Sequence, residues 1–288
     1  MGATGHLRWE GRLTTACPTV TFLSSWFSAQ TSRFTRFSPS CRYVLVTMPL
    51  QVAFLFGRLG WNKLGGNLII SGAFGLFERS SLLATGGYAH NTVGEDMELV
   101  VRLRRHAIEH GLPGKVAFVT DPVAWTEAPE SLQVLGRQRD RWHIGLADTL
   151  WRHRKIFFNP AYGSMGLISY PYFVLFELIA PIVEIVGLIG LGAALALGAL
   201  NVEFAILFFL AAYGYGLLLT TATFLIEEYA YHRYETIGDR LLMLLWALLE
   251  NFGYRQLAVL WRIQGLVKYL RGRTEWGAMQ RRGFTERP

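Results

Sequence analysis

The chain has 288 residues, of which 51% are hydrophobic and 17% are charged, and its mean hydropathy is +0.26. Soluble globular domains usually carry about 25% charged residues, so this composition argues against a wholly soluble protein and indicates a membrane part joined to a more polar part. The net charge of +7 favours anionic lipid as a first partner and a diphosphate ligand as a second, and we expect no nucleic acid partner.

Residues 1–42 differ in composition from the rest of the chain. They are rich in Ser, Thr and Arg, they show no sustained hydrophobic period, and no Asp or Glu occurs between Glu10 and Glu78. Such a leader is typical of an organelle transit peptide or of a disordered or mis-specified start, and we favour the second interpretation. Cys17 and Cys41 lack metal-ligand spacing, so the sequence predicts no metal site.

Residues 43–165 form a more polar region with short predicted elements. Hydrophobic periodicity and glycine or proline breaks set their limits. We predict a surface-lying helix over Tyr43–Leu64, a buried strand over Asn67–Phe77, a helix over Met97–His110, a short strand over Val116–Val119 and a second helix over Ser131–Trp151.

Three long apolar segments follow within residues 166–270. Leu167–Leu200 contains only two charged residues, Glu177 and Glu184, and Phe204–Ile226 contains none. A membrane-spanning helix needs about 20 apolar residues, so both segments are long enough to cross. The third segment, Leu241–Leu270, is interrupted by polar residues. We predict spans at about residues 168–198 and 204–226, and a re-entrant or third helix at about 241–266.

The distribution of basic residues predicts the orientation of these spans. Residues 271–288 form a basic tail, and the loop before Leu167 is also basic, so the positive-inside rule places both on the cytoplasmic side. Two spans between them satisfy that arrangement. We therefore expect an integral protein of the cytoplasmic (inner or plasma) membrane, in contact with membrane lipid and with a cytoplasmic C-terminus.

The segment that begins at Thr92 is the first candidate site. Thr92 and Glu95 fit a capping box at a helix N-terminus, and Asp96 would then lie in the first helical turn. A purely structural role as a helix start is sufficient to explain this pattern. The functional alternative is that Asp96 removes a proton from a hydroxyl group, with the helix dipole keeping its carboxylate ionised.

The second candidate site is the segment Gln138-Arg139-Asp140-Arg141-Trp142. On a helix, Gln138, Arg141 and Trp142 share one face, and Arg139 lies on a neighbouring face. One interpretation is a basic amphipathic helix at the lipid headgroups, with Trp142 as an interfacial anchor. The other is a ligand site, because arginine grips a diphosphate by paired hydrogen bonds and an indole offers a platform for a sugar ring.

The two segments together, followed by apolar spans, form a far more specific pattern than either alone. In this order they resemble the C-terminal half of a membrane-embedded family 2 glycosyltransferase, the group that contains cellulose, chitin, hyaluronan and poly-N-acetylglucosamine synthases. The resemblance covers roughly residues 43–284. Three further segments contribute to it: Ser71–Phe74, Thr126–Pro129 and Glu275–Gly277.

The resemblance implies an α/β remnant of a GT-A-type glycosyltransferase domain in residues 43–165, followed by an α-helical transmembrane bundle. It implies inverting transfer from a nucleotide-sugar donor, in particular a UDP-sugar, to a growing glycan or a lipid-linked acceptor, with Mg²⁺ or Mn²⁺ as cofactor. Asp96 matches the catalytic base. The matching substrate-binding residues are Glu95, Ser71, Gly72, Gln138, Arg139, Arg141 and Trp142.

The chain departs from the family pattern in one respect that affects function. The family holds its metal with an Asp-x-Asp that precedes the acidic segment, and this sequence contains no Asp-x-Asp. We therefore expect the chain to represent the C-terminal half of such an enzyme and to turn over little or no donor alone.

Two other classes of protein remain open. One is a non-catalytic membrane subunit or a glycan-translocation component. The other is a transporter or channel fragment that uses Glu177 and Glu184, which lie seven residues apart on one helical face. Most of His106, His110, His143 and His153 are expected at the surface.

Overall fold

The computed structural model of the chain describes residues 21–22, 57–70, 75–118, 131–231, 236–249 and 252–272. This part is mostly helical, and the connection between α4 and α5 adds two short 3₁₀ turns, Arg154–Ile156 and Pro160–Tyr162. The helices are α1 (residues 57–64), α2 (Arg79–Ala84), α3 (Glu95–Glu109), α4 (Leu132–Arg152), α5 (Met165–Ala196), α6 (Val202–Tyr231), α7 (Ile237–Leu249) and α8 (Tyr254–Leu270).

Strand structure in the described residues is limited to one short parallel pair. β1 (Thr21–Phe22) pairs with β2 (Ala117–Phe118), with Thr21 opposite Ala117. The strand predicted over Val116–Val119 is thus found in its central two residues. The prediction of a strand at Asn67–Phe77 is wrong for the residues described there, because Leu68 and Ile70 are buried against helices and pair with no strand. A larger α/β sheet stays a prediction.

The main hydrophobic core joins α3, α4 and the start of α5. Burying each large apolar side chain contributes about 1.5–3 kcal/mol, so this cluster is the principal stabilising contact of the polar region. Trp61 of α1 packs against its edge, with ring centroids 5.0 Å from Tyr172. The buried members are Leu68, Met97, Val101, Leu146, Leu150, Ile156, Tyr162, Met165, Tyr170 and Phe173.

Helix α3 begins differently from the prediction. Its N-cap is Gly94 and not Thr92, and no side chain caps it. The hydroxyl of Thr92 instead accepts a hydrogen bond from the Gly94 amide at 3.3 Å. The capping-box prediction is therefore wrong, and the reason is tertiary: Gly94 lies against Gly145 of α4, where a Cβ added to either glycine would come within 2.8 Å of the other's Cα.

Helix α4 lies between the start of α3 and helix α8. Its N-cap, Ser131, accepts a hydrogen bond from the Val134 amide, so the helix starts one residue after the predicted position. On the side facing α8, Trp261 lies against Gly136, and a Cβ added to Gly265 would lie 2.6 Å from the Asp140 carbonyl oxygen. Gly136 precedes Asp140 by four residues on α4, and Trp261 precedes Gly265 by four residues on α8. The contacts follow the same order on both helices, so α4 and α8 run parallel.

Helices α5 and α6 are long and apolar enough to cross a membrane. Met165–Ala196 has 32 residues and Val202–Ile226 has 25, and few side chains in the most apolar stretch of each are buried within the chain. The predicted spans at 168–198 and 204–226 coincide with them. The third apolar segment is two shorter helices, α7 and α8, separated at Gly253, whose φ of 90° ends the helical path.

Two ion pairs connect α5 to α8. Glu177 accepts from Arg262 at 2.5 Å, and Glu184 lies 3.6 Å from Arg255. Glu184 follows Glu177 by seven residues on α5, whereas Arg255 precedes Arg262 by seven residues on α8. The two helices therefore run antiparallel here. The described partner of Arg255 is therefore Glu184 of the first apolar helix.

Candidate functional site

Asp96 lies in the first turn of α3 and is half-buried. Its Oδ1 accepts a hydrogen bond from the Met97 amide at 2.8 Å. Burial raises the pKa of the Asp96 carboxyl above its usual value; the Met97 hydrogen bond and the charge of Arg58 oppose this, whereas the charge of Glu95 adds to it. From the sequence we expected only the helix dipole, which lowers the pKa of Asp96, and not the burial that raises it.

Arg58 of α1 is a buried cation close to two carboxylates. Burial lowers the pKa of its guanidinium to about 10, and the charges of Glu177 and Asp96 act in the opposite direction. At neutral pH the group therefore stays cationic. It places a positive charge between Asp96 and the beginning of the first apolar helix.

The face of α4 that carries Gln138, Arg141 and Trp142 is the face that meets α3. These residues fall on the same helical stripe as Gly145, at i−7, i−4 and i−3 from it. Because Gly145 contacts Gly94, the first turn of α3 lies about one helical turn, or roughly 5 Å along the α4 axis, from Arg141 and Trp142. Trp142 is 41% exposed, so its indole is accessible at this junction.

Arg139 lies on the face of α4 next to the one that bears Gln138 and Trp142, and it points toward α8. Its Nη2 donates to the hydroxyl of Tyr254 on α8 at 3.0 Å, and its guanidinium carbon lies 4.8 Å from the centroid of the Trp142 ring. The side chain is half-buried. The arginine is therefore held from two directions, by a cation–π contact within its own helix and by a hydrogen bond from a second helix.

Three buried polar atoms of this motif make no hydrogen bond with any described residue. They are the amide oxygen of Gln138, the Nε of Arg139 and the Oδ1 of Asp140. Buried polar atoms without a partner are rare in folded proteins because each one costs free energy. A polar ligand at the motif would supply partners of the right kind.

His143 and His153 are both buried, so the expectation of surface positions is wrong for these two histidines. Burial and the charge of Arg262 lower the pKa of His143 to about 3, despite a hydrogen bond with the Leu178 backbone. His143 is therefore neutral at physiological pH. Of the other two, His110 is exposed and His106 is half-buried.

Glu98 braces α3 against the end of α4. It is buried, it lies 3.2 Å from the Nε2 of His153, and Arg102 donates to it at 2.9 Å. Burial acts to raise the pKa of Glu98, but the hydrogen bonds from His153 and Arg102 outweigh burial and hold the pKa below its usual value. This brace fixes the start of α3, where Asp96 lies, against α4.

Several residues of the expected site lie outside the described part of the chain. These are Ser71 and Gly72, which match the acceptor-site turn, and the segments Thr126–Pro129 and Glu275–Gly277. Glu95, Asp96, Gln138, Arg139, Arg141 and Trp142 are all described, and the structure brings their two helices together through the Gly94–Gly145 contact.

Helix α8 also belongs to this region, which we did not predict from the sequence. A signal was available, because Tyr254, Ala258, Trp261, Gly265 and Lys268 follow a helical stripe at i, i+4, i+7, i+11 and i+14. Four of these five contact α4: Tyr254 and Trp261 directly, Gly265 at Asp140, and Lys268 through an ion pair with the same aspartate.

The described residues do not fit a divalent metal site. They include no group of three or more His, Cys, Asp or Glu side chains able to hold an ion. Mg²⁺ and Mn²⁺ need several oxygen ligands, and Asp96 and Glu95 alone do not supply them. No metal ion held by these residues takes part in the chemistry that we propose.

A comparison with protein families identifies the class of this chain. The family model described as "Glycosyl transferase family group 2" matches residues 47–226, which is more than half of the 288 residues. The chain belongs to this family, and membership supports a glycosyltransferase function that uses a nucleotide-sugar donor and an acceptor. The matched residues include Asp96, all of α4 and the whole of α5, but neither α7 nor α8.

Proposed function

We propose that this chain transfers a sugar from a nucleotide-sugar donor, of the UDP-sugar class, to a growing glycan or lipid-linked acceptor at a membrane, with inversion at the anomeric carbon. The observation that carries the proposal is the close approach of Gly94 and Gly145. It brings the helix start that bears Asp96 against the face that bears Gln138, Arg141 and Trp142, within a family 2 glycosyltransferase domain.

Asp96 has the properties of a general base for this transfer. A carboxylate whose pKa is raised binds a proton more strongly, so it removes the proton of an attacking hydroxyl more effectively than a free aspartate does. The nearby charge of Arg58 opposes the rise in pKa and favours the ionised form that a base requires. The proton leaves the acceptor hydroxyl for the Asp96 carboxylate as the hydroxyl oxygen attacks the anomeric carbon of the donor sugar. The bond from that carbon to the diphosphate oxygen breaks, and the nucleoside diphosphate leaves with the electron pair of that bond.

The arginines of α4 are suited to the diphosphate of the donor. Guanidinium groups form paired, charge-assisted hydrogen bonds with phosphate oxygens, and Arg139 and Arg141 present two such groups within one turn of the same helix. The exposed indole of Trp142 offers a flat apolar surface for the sugar at the acceptor end. Glu95 lies beside Asp96, where it would hydrogen-bond a sugar hydroxyl.

The apolar helices support a location in the cytoplasmic membrane. α5 and α6 expose apolar side chains over most of their length, and residues 271–288 carry an excess of Arg. We propose that both helices cross the bilayer, that the polar region and the C-terminus lie on the cytoplasmic side, and that the exposed apolar side chains contact lipid.

The test of this proposal is sugar transfer in membrane vesicles that contain the chain together with a co-expressed polypeptide that supplies the metal-binding carboxylates, with a panel of UDP-sugars and a divalent cation. Asp96→Asn keeps the shape and the acceptor for the Met97 amide but cannot take up a proton. We expect a loss of about 10²- to 10⁴-fold in transfer, the usual contribution of a general base. Glu109→Gln is the matched control, because Glu109 lies at the other end of α3, about 20 Å from Asp96.

The same experiment separates the proposal from its main alternative, a non-catalytic membrane subunit or glycan-translocation component. We expect sugar transfer only when the polypeptide with the metal-binding carboxylates is present, because the described residues form no metal site. Transfer that is equal in Asp96→Asn and Glu109→Gln membranes contradicts the catalytic role of Asp96 and favours the alternative.

A further inference from the structure

Helix α8 packs against the side of the motif helix that bears Arg139 and Asp140. It lies outside the residues matched by the family, so family membership gives it no role. Tyr254 packs against Leu135, and Trp261 lies against Gly136. Lys268 completes the contact at the other end of α8 through its ion pair with Asp140. α4 is therefore held along most of its motif by α8.

Arg139 is the motif residue assigned to the donor, and α8 contacts it by a directed hydrogen bond. The hydroxyl of Tyr254 accepts from Nη2, which uses one of the five N–H donors of the guanidinium and leaves others for a second acceptor. The ring of Trp142 stacks on the same guanidinium. These two contacts fix both the position and the plane of the group.

Tyr254 is itself rigidly placed. It is 8% exposed, and its ring meets that of Trp261 edge-on with centroids 6.5 Å apart. The Gly253 amide next to it donates to the side-chain oxygen of Gln256 at 2.7 Å, which closes the first turn of α8. A buried, packed tyrosine of this kind is a fixed point for its hydrogen-bond partner.

We propose that Tyr254 is a positioning residue, whose hydroxyl holds the guanidinium of Arg139 in the orientation that receives the donor diphosphate. The inference rests on the proposed function, which assigns Arg139 to the donor. Arginine has many rotamers, so a side chain already held in its binding conformation loses less entropy when the ligand arrives. α8 thereby contributes to donor affinity without touching the donor.

The first test measures the position of Arg139 and requires no catalysis. The chain in detergent micelles is treated with an arginine-specific dicarbonyl reagent, and modification of Arg139 is compared by mass spectrometry with that of exposed Arg137. Tyr254→Phe removes only the hydroxyl, and we expect the Arg139-to-Arg137 ratio to rise about fivefold, as for loss of a typical hydrogen bond. An unchanged ratio overturns the inference.

Tyr213→Phe is the matched control. The Tyr213 hydroxyl accepts from Gln256 at 3.2 Å, so this change also removes a tyrosine hydrogen bond to α8, but not one to α4. We expect it to leave the Arg139-to-Arg137 ratio unchanged. An equal rise in both variants would show a general loosening of α8 and would overturn the specific role of Tyr254.

The second test uses sugar transfer. Tyr254→Phe is expected to raise the KM for the donor about fivefold with little change in kcat, because only ground-state positioning is lost. In an Arg139→Ala background, Tyr254→Phe should have no further effect, since the residue acts through Arg139. If Tyr254→Phe raises the KM for the donor by the same factor with and without Arg139, the two residues act independently and the inference is overturned. If the labelling ratio rises as expected but transfer does not depend on Asp96, the proposed function fails and only the contact between Tyr254 and Arg139 remains.

Discussion

Two carboxylates in the first turn of α3 are driven in opposite directions by their surroundings. Glu98 is buried with His153 and Arg102 as hydrogen-bond partners, and its pKa is lowered. Burial raises the pKa of Asp96, whose hydrogen bond from the Met97 amide and nearby Arg58 charge compensate only in part. Separated pKa values in neighbouring acids are a common property of sites that perform acid–base chemistry. Glu98 therefore has a structural role as an ionised hydrogen-bond acceptor, and the Asp96 carboxylate is available to take up a proton.

The raised pKa of Asp96 predicts a pH-dependent cost to stability. The folded state binds the Asp96 proton more tightly than the unfolded state does, so the stabilisation is complete below the unfolded pKa of about 3.9 and is lost as the pH rises through the folded pKa. At neutral pH the ionised carboxylate is therefore destabilising. We expect Asp96→Asn to raise the thermal midpoint in detergent at pH 7 and to have little effect below about pH 4.

Thermal unfolding of Glu109→Gln is the control for this prediction. Hydrogen bonds from Arg105 and Tyr162 lower the pKa of Glu109, so its ionised form is stabilising and the amide should give no gain at neutral pH. A lower midpoint for Asp96→Asn at pH 7 would contradict the argument from burial.

At the scale of elements, the decisive contact is the crossing of the α3 N-terminus and α4. Gly94 and Gly145 allow the two backbones to approach without side chains between them. The polar brace of Glu98 and His153, and the bonds from Arg152 to Asn91, hold the same two elements together on either side. A site made by this crossing depends on the absence of a Cβ at position 145.

Gly145→Ala is predicted to open this crossing. The added methyl would lie 2.8 Å from a backbone atom, which cannot move as a flexible side chain can. Overpacking of this kind costs about 1–3 kcal/mol, and we expect a lower thermal midpoint together with reduced sugar transfer. Gly60→Ala is the control, since a Cβ at exposed Gly60 meets nothing within 4 Å and alanine favours a helix. Full transfer in Gly145→Ala would show that the crossing does not form the site.

At the scale of the whole molecule, a polar region and an apolar helix pair share one chain. The polar region has a buried core, whereas α6 exposes large apolar side chains along most of its length. In water such a surface would be strongly unfavourable. The ion pairs between α5 and α8 connect the two regions, so α8 contacts both the motif helix and the first apolar helix.

A charge placed on α6 tests its membrane location. Leu210 is 65% exposed near the middle of that helix, and an arginine at the centre of a span costs about 2.5–3.5 kcal/mol of insertion free energy. We expect Leu210→Arg to reduce the amount of chain retained in carbonate-washed membranes. Leu83→Arg is the control, because Leu83 on α2 is 64% exposed but lies in the polar region. Equal retention of both variants would argue against a span at α6.

The sequence by itself determined the bounds of the two long apolar helices to within a few residues, and the face shared by Gln138, Arg141 and Trp142. These properties depend on composition and on the period of a single helix, which are local. Tertiary structure alone decided that Gly94 replaces Thr92 as the N-cap, that His143 is buried, and that α8 supports Arg139. The physical reason is that periodicity reveals which residues share a face but not which element that face will meet, and the meeting sets burial, pKa and hydrogen-bond partners.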